Sequence, residues 1–446
     1  MKYFALLFSV LIFSHSSARE PQIIPTGYQP LAIHQVGDTV HVFCNGNDID
    51  YDGIYEPASG EKPAMWLQYD ANTYMLMKFK IIEDGYFSVP FRPGLSSTKM
   101  FLAKGNMILM YDLSTQELID SALYSLPDSK SIISGIHVVT STNQSGIESD
   151  VALAISHKTT FTGNGQLSVL SLISRQLLFQ AEVGINPQAV ISHKNLRGQM
   201  VFAVLCEGTF GGKNSTLCIV NPAQMGDSTF VTTFPLGDTG NYFLIQDQLA
   251  LTVMNGSHEI IPVNLATNTV LPGIPVGTSG YDGPREIVID TISARVFVST
   301  YASNIRIGAL NDGTVLGEWY PGGKPEGMAL VNNVLWACNA FKKGEYAPDS
   351  TIALFTLDEA SSVMENTLFD ESISVVLLNG QCSIQTKEEY SNVHYQVLDT
   401  KGRVVKDGTM HGNYHSFSFN DLPKGLYLVT VYSDKVSRSE LVVHYQ

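Results

Sequence analysis

Tyr111-Asp112-Leu113-Ser114-Thr115-Gln116-Glu117-Leu118 reads as a strand, a tight turn and a second strand. Asp112 ends the first strand, Ser114 and Thr115 make the turn, and apolar residues resume. Asp, Asn and Ser suit such a corner because their side chains bond backbone groups two residues on. The same shape returns at Tyr69 to Met75, Leu170 to Leu177 and Val263 to Val270. Looser copies stand at Val220-Asn221-Pro222, Ala309 to Val315 and Phe355 to Glu359. That makes about seven copies spaced roughly 40–60 residues apart, the period of repeated supersecondary units such as propeller blades.

A second repeat runs in step with the first. Pro30, Pro187, Pro284 and Pro325 each open a short apolar strand, and a further strand follows each: Val40 to Cys44, Val201 to Cys206, Arg295 to Ser299 and Val334 to Cys338. Proline is tolerated at the first residue of a strand and not in its middle. Each unit therefore reads as four antiparallel strands, the blade of a β-propeller. The first blade is expected from residue 21, with a long insertion at 45–63. Past Asp370 the pattern shortens to about seven strands in fewer than roughly 80 residues, which suits a small sandwich. The expected fold class is all-β: a seven-bladed β-propeller over 19–369, then a small Ig-like β-sandwich over 370–446.

The 446 residues exceed one small core, in keeping with two domains. A formal charge of -15 lacks the basic face that nucleic acid requires. Residues 1–18 have the pattern of a signal peptide: Lys2, an apolar run from Phe4 to Phe13, and small residues Ser16-Ser17-Ala18 before the cut. That run is too short to span a bilayer, and no later stretch is long and apolar enough, so no membrane span is expected in the mature protein. Cys44, Cys206, Cys218, Cys338 and Cys382 are irregularly spaced and form no Cys-x-x-Cys, which leaves zinc knuckles and c-type haem without support. Cys206 and Cys218 flank the Gly-rich loop from Glu207 to Thr216. A disulfide and a pair of buried thiols both fit there, the thiols being the simpler reading.

Tyr395-Gln396-Val397-Leu398-Asp399-Thr400-Lys401-Gly402-Arg403 is followed by Leu422-Pro423-Lys424-Gly425-Leu426-Tyr427 and a final strand. This order resembles the type A sorting domain of the type IX secretion system of Bacteroidetes, over roughly the last 75 residues. The usual Asn-Pro near the domain start is replaced by Leu378-Asn379-Gly380, and the usual lysines of the last strand by Glu440 and His444. The resemblance implies the type IX secretion machinery as a partner, and a secreted or outer-membrane surface location reached through the periplasm. The Pro-led strands at Pro187, Pro284 and Pro325 resemble YVTN-type, surface-layer-like β-propellers. Those proteins share a fold and not one activity.

Two constellations offer chemistry. Asn47-Asp48-Ile49-Asp50-Tyr51-Asp52-Gly53 resembles the start of a calcium loop, where alternate carboxylates wrap a hard cation and Gly allows the sharp turn. Asp48, Asp50, Asp52 and Glu56 are the candidate Ca2+ ligands; the plain alternative is a solvated acidic loop. The residues just after the leading prolines, Gln188, Arg285, Glu286 and Glu326, should ring the channel mouth. They suit a polar ligand or a partner's side chain, or Arg285 simply pairs with a neighbouring carboxylate and closes the channel. No Gly-x-Ser-x-Gly, phosphate loop or compact histidine motif appears, so neither a nucleotide nor a linear catalytic set is indicated. The leading functional reading is an exported binding or interaction module for a protein or glycan, with recognition loops at 45–63, 141–150, 207–216 and 339–348. Its competitors are a hydrolase or lactonase with a metal in the channel, and a structural surface-layer component.

Overall fold

The computed structural model describes residues 20–49, 55–82, 91–95, 98–143, 145–246, 248–278, 282–310, 313–357, 373–378, 381–386, 393–399, 403–410, 412–423, 425–432 and 437–444. The signal-peptide stretch 1–18, Asp50 and Asp52 of the acidic loop, and Lys401-Gly402 lie outside the described residues. So does the expected domain boundary near 370. The chain divides into two compact units, Met1–Leu357 and Asp358–Gln446.

The first unit contains seven antiparallel sheets. Their inner strands are Pro30–Val36, Phe91–Pro93, Ile132–Thr142, Pro187–Lys194, Gly240–Gln246, Pro284–Asp290 and Gly323–Val331. Each inner strand neighbours the next, and the seventh neighbours the first, so the sheets close into a ring of blades 1 to 7. The second and third strands of a blade are covered on both faces by adjacent blades. They therefore read as unbroken apolar runs rather than alternating ones. In Thr39–Cys44 every residue after the first is buried. Trp66, Phe43, Phe91 and Tyr111 fill the gap between blades 1 and 2. Trp319 lies between Phe297 and Phe355, with ring centroids 5.3 and 5.0 Å away, and joins blade 6 to blade 7.

The repeated turns have one geometry. Asp112 Oδ1 accepts from the backbone amides of Ser114 and Thr115 at 2.9 and 2.8 Å, and from Ser114 Oγ at 2.7 Å. Asp70, Ser171 and Asn264 do the same for the amides two and three residues on. The fifth residue of each turn, Tyr74, Gln116, Arg175 or Asn268, then takes a left-handed φ of 55–62°. The side-chain oxygen satisfies amides that the turn leaves without a ladder partner.

The expected hairpin from Phe355 to Glu359 runs past Leu357, outside the described residues. The strand Pro348–Thr356 takes a neighbour on its outer edge from far away in the sequence. Its partner is Gln22–Pro25, with Ile24 opposite Ile352. Residues 22–25, expected in blade 1, thus supply the fourth strand of blade 7. The reason is topological: an N-terminal strand that fills the outer position of the last sheet closes the ring with hydrogen bonds. Such a pairing, spanning more than 300 residues of chain, has no local signature. Blade 5 also departs from the pattern. Its fourth strand is two short pieces, Thr269–Val270 and Ile274–Pro275, on either side of Pro272.

The second unit holds a three-stranded sheet of Ile373–Leu378, Gln381–Thr386 and Tyr414–Ser418. A four-stranded sheet runs in the order Val404–Met410, Val393–Leu398, Gly425–Tyr432, Ser437–His444. Ile384 and Phe417 of the first share one apolar core with Val397 and Val429 of the second. The Tyr395 and Phe417 rings stack at 4.5 Å. Asp399 accepts from the Arg403 amide at 3.0 Å and from its Nε at 2.8 Å, which explains the spacing of the Asp-x-x-x-Arg corner.

Candidate functional site

In six of the seven inner strands, pairing with the second strand slips close to its first pair. The slips fall between Pro30 and Ala32, Ile133 and Gly135, Pro187 and Ala189, Gly240 and Tyr242, Pro284 and Ile287, and Pro325 and Met328. A β-bulge of this kind leaves its extra residue out of the ladder and re-aims its side chain. The skipped residues are Leu31, Ser134, Gln188, Asn241, the pair Arg285 and Glu286, and Glu326 with Gly327. All but Gly327 line one axial cavity of about 650 Å³. Gly327 serves the closure: a Cβ there would lie 2.5 Å from the Leu31 carbonyl oxygen of the adjacent inner strand. Gln188, Arg285, Glu286 and Glu326, the residues picked out after the leading prolines, are therefore brought together in one channel.

Arg285 is committed to its neighbours. Its Nε and Nη2 donate to the two carboxylate oxygens of Glu326 at 3.1–3.2 Å. Its guanidinium carbon lies 4.4 Å from the Tyr301 ring centroid, and the Tyr301 hydroxyl donates to the same carboxylate. With its amide turned to satisfy both groups, Asn241 accepts from Arg285 Nη1 at 3.1 Å and donates to the Thr239 carbonyl at 3.0 Å. Beside this cluster the buried Lys324 points its ammonium at the Tyr346 ring, 3.4 Å from the centroid. Gln188 belongs to a second group. It donates to Glu207 and, at 3.2 Å, to Asn186 Oδ1, which also accepts from the buried Lys158. Burial pushes the Glu207 carboxyl up against the opposing pull of Lys158.

Glu286 is different. It is half-buried by surface area because it borders the cavity, yet it sits inside the ring of strands. Burial pushes its carboxyl from an ordinary 4.5 to about 8, against the pull of the Met328 amide and of Arg92. The charged and titratable groups facing it are Arg92, Arg285, Glu326, Tyr242 and Cys338. A raised carboxyl binds its proton more tightly in the folded state. Its stabilising effect is complete below 4.5 and is lost as pH rises through about 8. Glu286→Gln is therefore expected to abolish the decline in stability between those two values. Denaturation midpoints of variant and wild type should converge at acid pH and separate, variant higher, at alkaline pH.

Arg92 is the site residue that the sequence pattern missed. In blade 2 the described inner strand is Phe91–Pro93; Pro90 stands just before it but is not among the leading prolines at Pro30, Pro187, Pro284 and Pro325. Arg92 therefore escapes a search keyed to the residue after a leading proline. Tyr301, Glu207 and Lys158 escape it too, because they stand at, or one residue past, the far ends of second strands.

The acidic insertion is described in part. Asp48 is buried and Glu56 exposed. Glu61 ties the insertion together: its two carboxylate oxygens accept from the amides of Ile49 at 2.9 Å and Glu56 at 2.7 Å. Among the described residues no three His, Cys, Asp or Glu side chains are grouped to hold a metal. All five cysteines are buried free thiols.

Register fixes which loops share a face. Pro30, Pro187, Pro284 and Pro325 stand opposite Cys44, Cys206, Thr300 and Asn339. The loops that follow those second strands, including 45–63, 207–215 and 343–347, thus leave from the bulged end of the channel. Thr142 pairs with Glu148 at the other end of its strand from the Ile132–Lys158 pair. The 141–150 loop is accordingly on the opposite face, a correction to its place among the recognition loops.

Residues 378–444 match the family model of the secretion system C-terminal sorting domain. No curated protein matches the chain. Among the described residues, no helix is long and apolar enough to cross a membrane. The chain is a seven-bladed β-propeller joined to a type IX C-terminal sorting domain, which implies interaction with that secretion machinery and export to the cell surface or outside.

Proposed function

We propose that the protein is an exported binding module whose axial channel receives a polar group, either a small molecule or the tip of a protein or glycan partner. The sorting tail supports the exported location, and its two-sheet core supports an Ig-like sandwich. The Pro-led strands support kinship with YVTN-type propellers. The observation that carries the binding reading is the repeated bulge, which turns polar side chains from several blades into one cavity. Rigid scaffolds that converge a few polar groups on a concave site are the usual form of a ligand pocket. The loops at 45–63, 207–215 and 343–347 leave the blades at that mouth, and their described residues form the outer rim of recognition.

The test is a thermal-shift screen of the purified mature protein against sugars, amines, carboxylates and phosphates, run beside Leu31→Trp, which narrows the channel without removing a polar group. A compound that raises the midpoint of the wild type and not of Leu31→Trp supports the reading. Stabilisation indifferent to Leu31→Trp, or self-assembly of the wild type into sheets, counts against it.

A further inference from the structure

Among the described residues, Arg92 and Arg285 are the two guanidinium groups lining the channel, and they are used unequally. Arg285 has a carboxylate partner, an aromatic face and an amide. Arg92 has neither of the first two. Its Nη1 lies 3.5 Å from His34 Nδ1. The other ring nitrogen, Nε2, is 2.8 Å from the Phe91 carbonyl, which can only accept, so the ring proton sits on Nε2 and the Nδ1 lone pair faces Arg92. Burial holds His34 well below its usual value, with Arg92 adding to the effect, and holds His137 at about 4 for the same two reasons. Both rings are neutral near pH 7 and add no second charge. Tyr242, from blade 5, is raised by burial and stays a phenol. The carboxyl facing this group is Glu286, which retains its proton near neutrality. Among the described residues, the middle of the channel therefore holds one guanidinium with no counter-ion, ringed by groups that donate hydrogen bonds or are uncharged.

We propose that the channel binds a small organic carboxylate, seated on the Arg92 guanidinium between His34 and Tyr242, with the rest of the ligand directed toward the Gln188, Arg285 and Glu326 mouth. This names the ligand class for the binding reading above and rests on it. A planar guanidinium matches a carboxylate through two parallel hydrogen bonds. A single uncompensated cation suits a monoanion. A phosphate dianion would call for a second free cation, and Arg285 is already held by Glu326. The cavity volume of about 650 Å³ admits a small molecule and excludes a folded partner.

Titration calorimetry of the full mature protein with acetate, pyruvate and benzoate, against phosphate, sulfate and chloride at matched ionic strength, tests this. At least one carboxylate should bind more tightly than every inorganic anion. Arg92→Gln should weaken it at least about 30-fold, the usual consequence of removing one partner of a desolvated charge pair. Arg92→Lys keeps the charge and loses the fork, so it should fall between. Binding should also weaken above about pH 8 as Glu286 ionises, and Glu286→Gln should remove that dependence. Carboxylates no better than phosphate, or equal binding by wild type and both Arg92 variants, would overturn the assignment. If sugars or amines act through the channel and carboxylates do not, the carboxylate assignment fails and the binding reading stands. If no compound acts through the channel, both fall.

Discussion

Glu326→Ala is expected to destabilise the propeller by about 3–5 kcal/mol, because it strands Arg285 in a partly desolvated channel with no counter-charge. Both side chains are largely enclosed, at 18% and 15% exposure, and the pairing is bidentate. The Tyr301 hydroxyl loses its acceptor in the same change. Arg285→Ala should cost a similar amount, by leaving the carboxylate against Tyr301. The double variant Arg285→Met/Glu326→Met removes both charges and fills their volume, so it should recover most of the loss. All three tryptophans, Trp66, Trp319 and Trp336, lie in the propeller. Their fluorescence in a urea titration reports that unit without interference from the sorting domain. A double variant no more stable than either single would show that the pair is not a coupled unit.

Removing residues 20–26 should have the larger effect. The segment buries Ile24 against Trp336 and Ile352 in the core between blades 7 and 1. Its Thr26 amide donates to the Ser350 carbonyl and its Pro25 carbonyl accepts from the Tyr69 hydroxyl, each at 2.9 Å. One fully buried Ile contributes about 1.5–3 kcal/mol and each hydrogen bond about 1 kcal/mol, so the loss is on the order of 5 kcal/mol. It also bares the edge of Pro348–Thr356, whose unpaired backbone invites pairing with another chain. Size-exclusion chromatography should show the truncated protein as oligomers, with a lowered tryptophan-monitored midpoint. A monomer of undiminished stability would mean that the ring does not need this strand.

The blade count was legible because each hairpin carries its own chemistry. Asp70, Asp112, Ser171 and Asn264 cap their turns with the bonds their side chains favour, so the pattern survives in the bare sequence. The leading prolines at Pro30, Pro187, Pro284 and Pro325 marked the inner strands, and counting onward from them found Gln188, Arg285, Glu286 and Glu326. That offset worked because the bulge falls just after the proline in each case. Arg92 shows the limit. Its inner strand is described over Phe91–Pro93 alone, where the ladder to the second strand shows no slip to mark the offset; only closure of the ring brings it to His34 and Tyr242. Residues 22–25 were misplaced for the same reason, since their partner lies at the other end of the propeller. The 141–150 loop looked like its neighbours in composition, but which face a loop occupies depends on strand order and not on content.

Ring closure is what brings the bulges of separate blades to one axis, and a cross-link tests it most directly. Ile23 and Ala353 are opposed in the pairing. They form a non-hydrogen-bonded pair, in which Cα atoms stand about 4.5 Å apart and a disulfide fits. The native cysteines are buried and should not compete. Oxidised Ile23→Cys/Ala353→Cys should form a bond within one chain, seen as a reduction-sensitive shift on a denaturing gel, with a linked peptide pair by mass spectrometry. Two thiols that stay free, or that link only between chains, would contradict the closed ring and with it the channel.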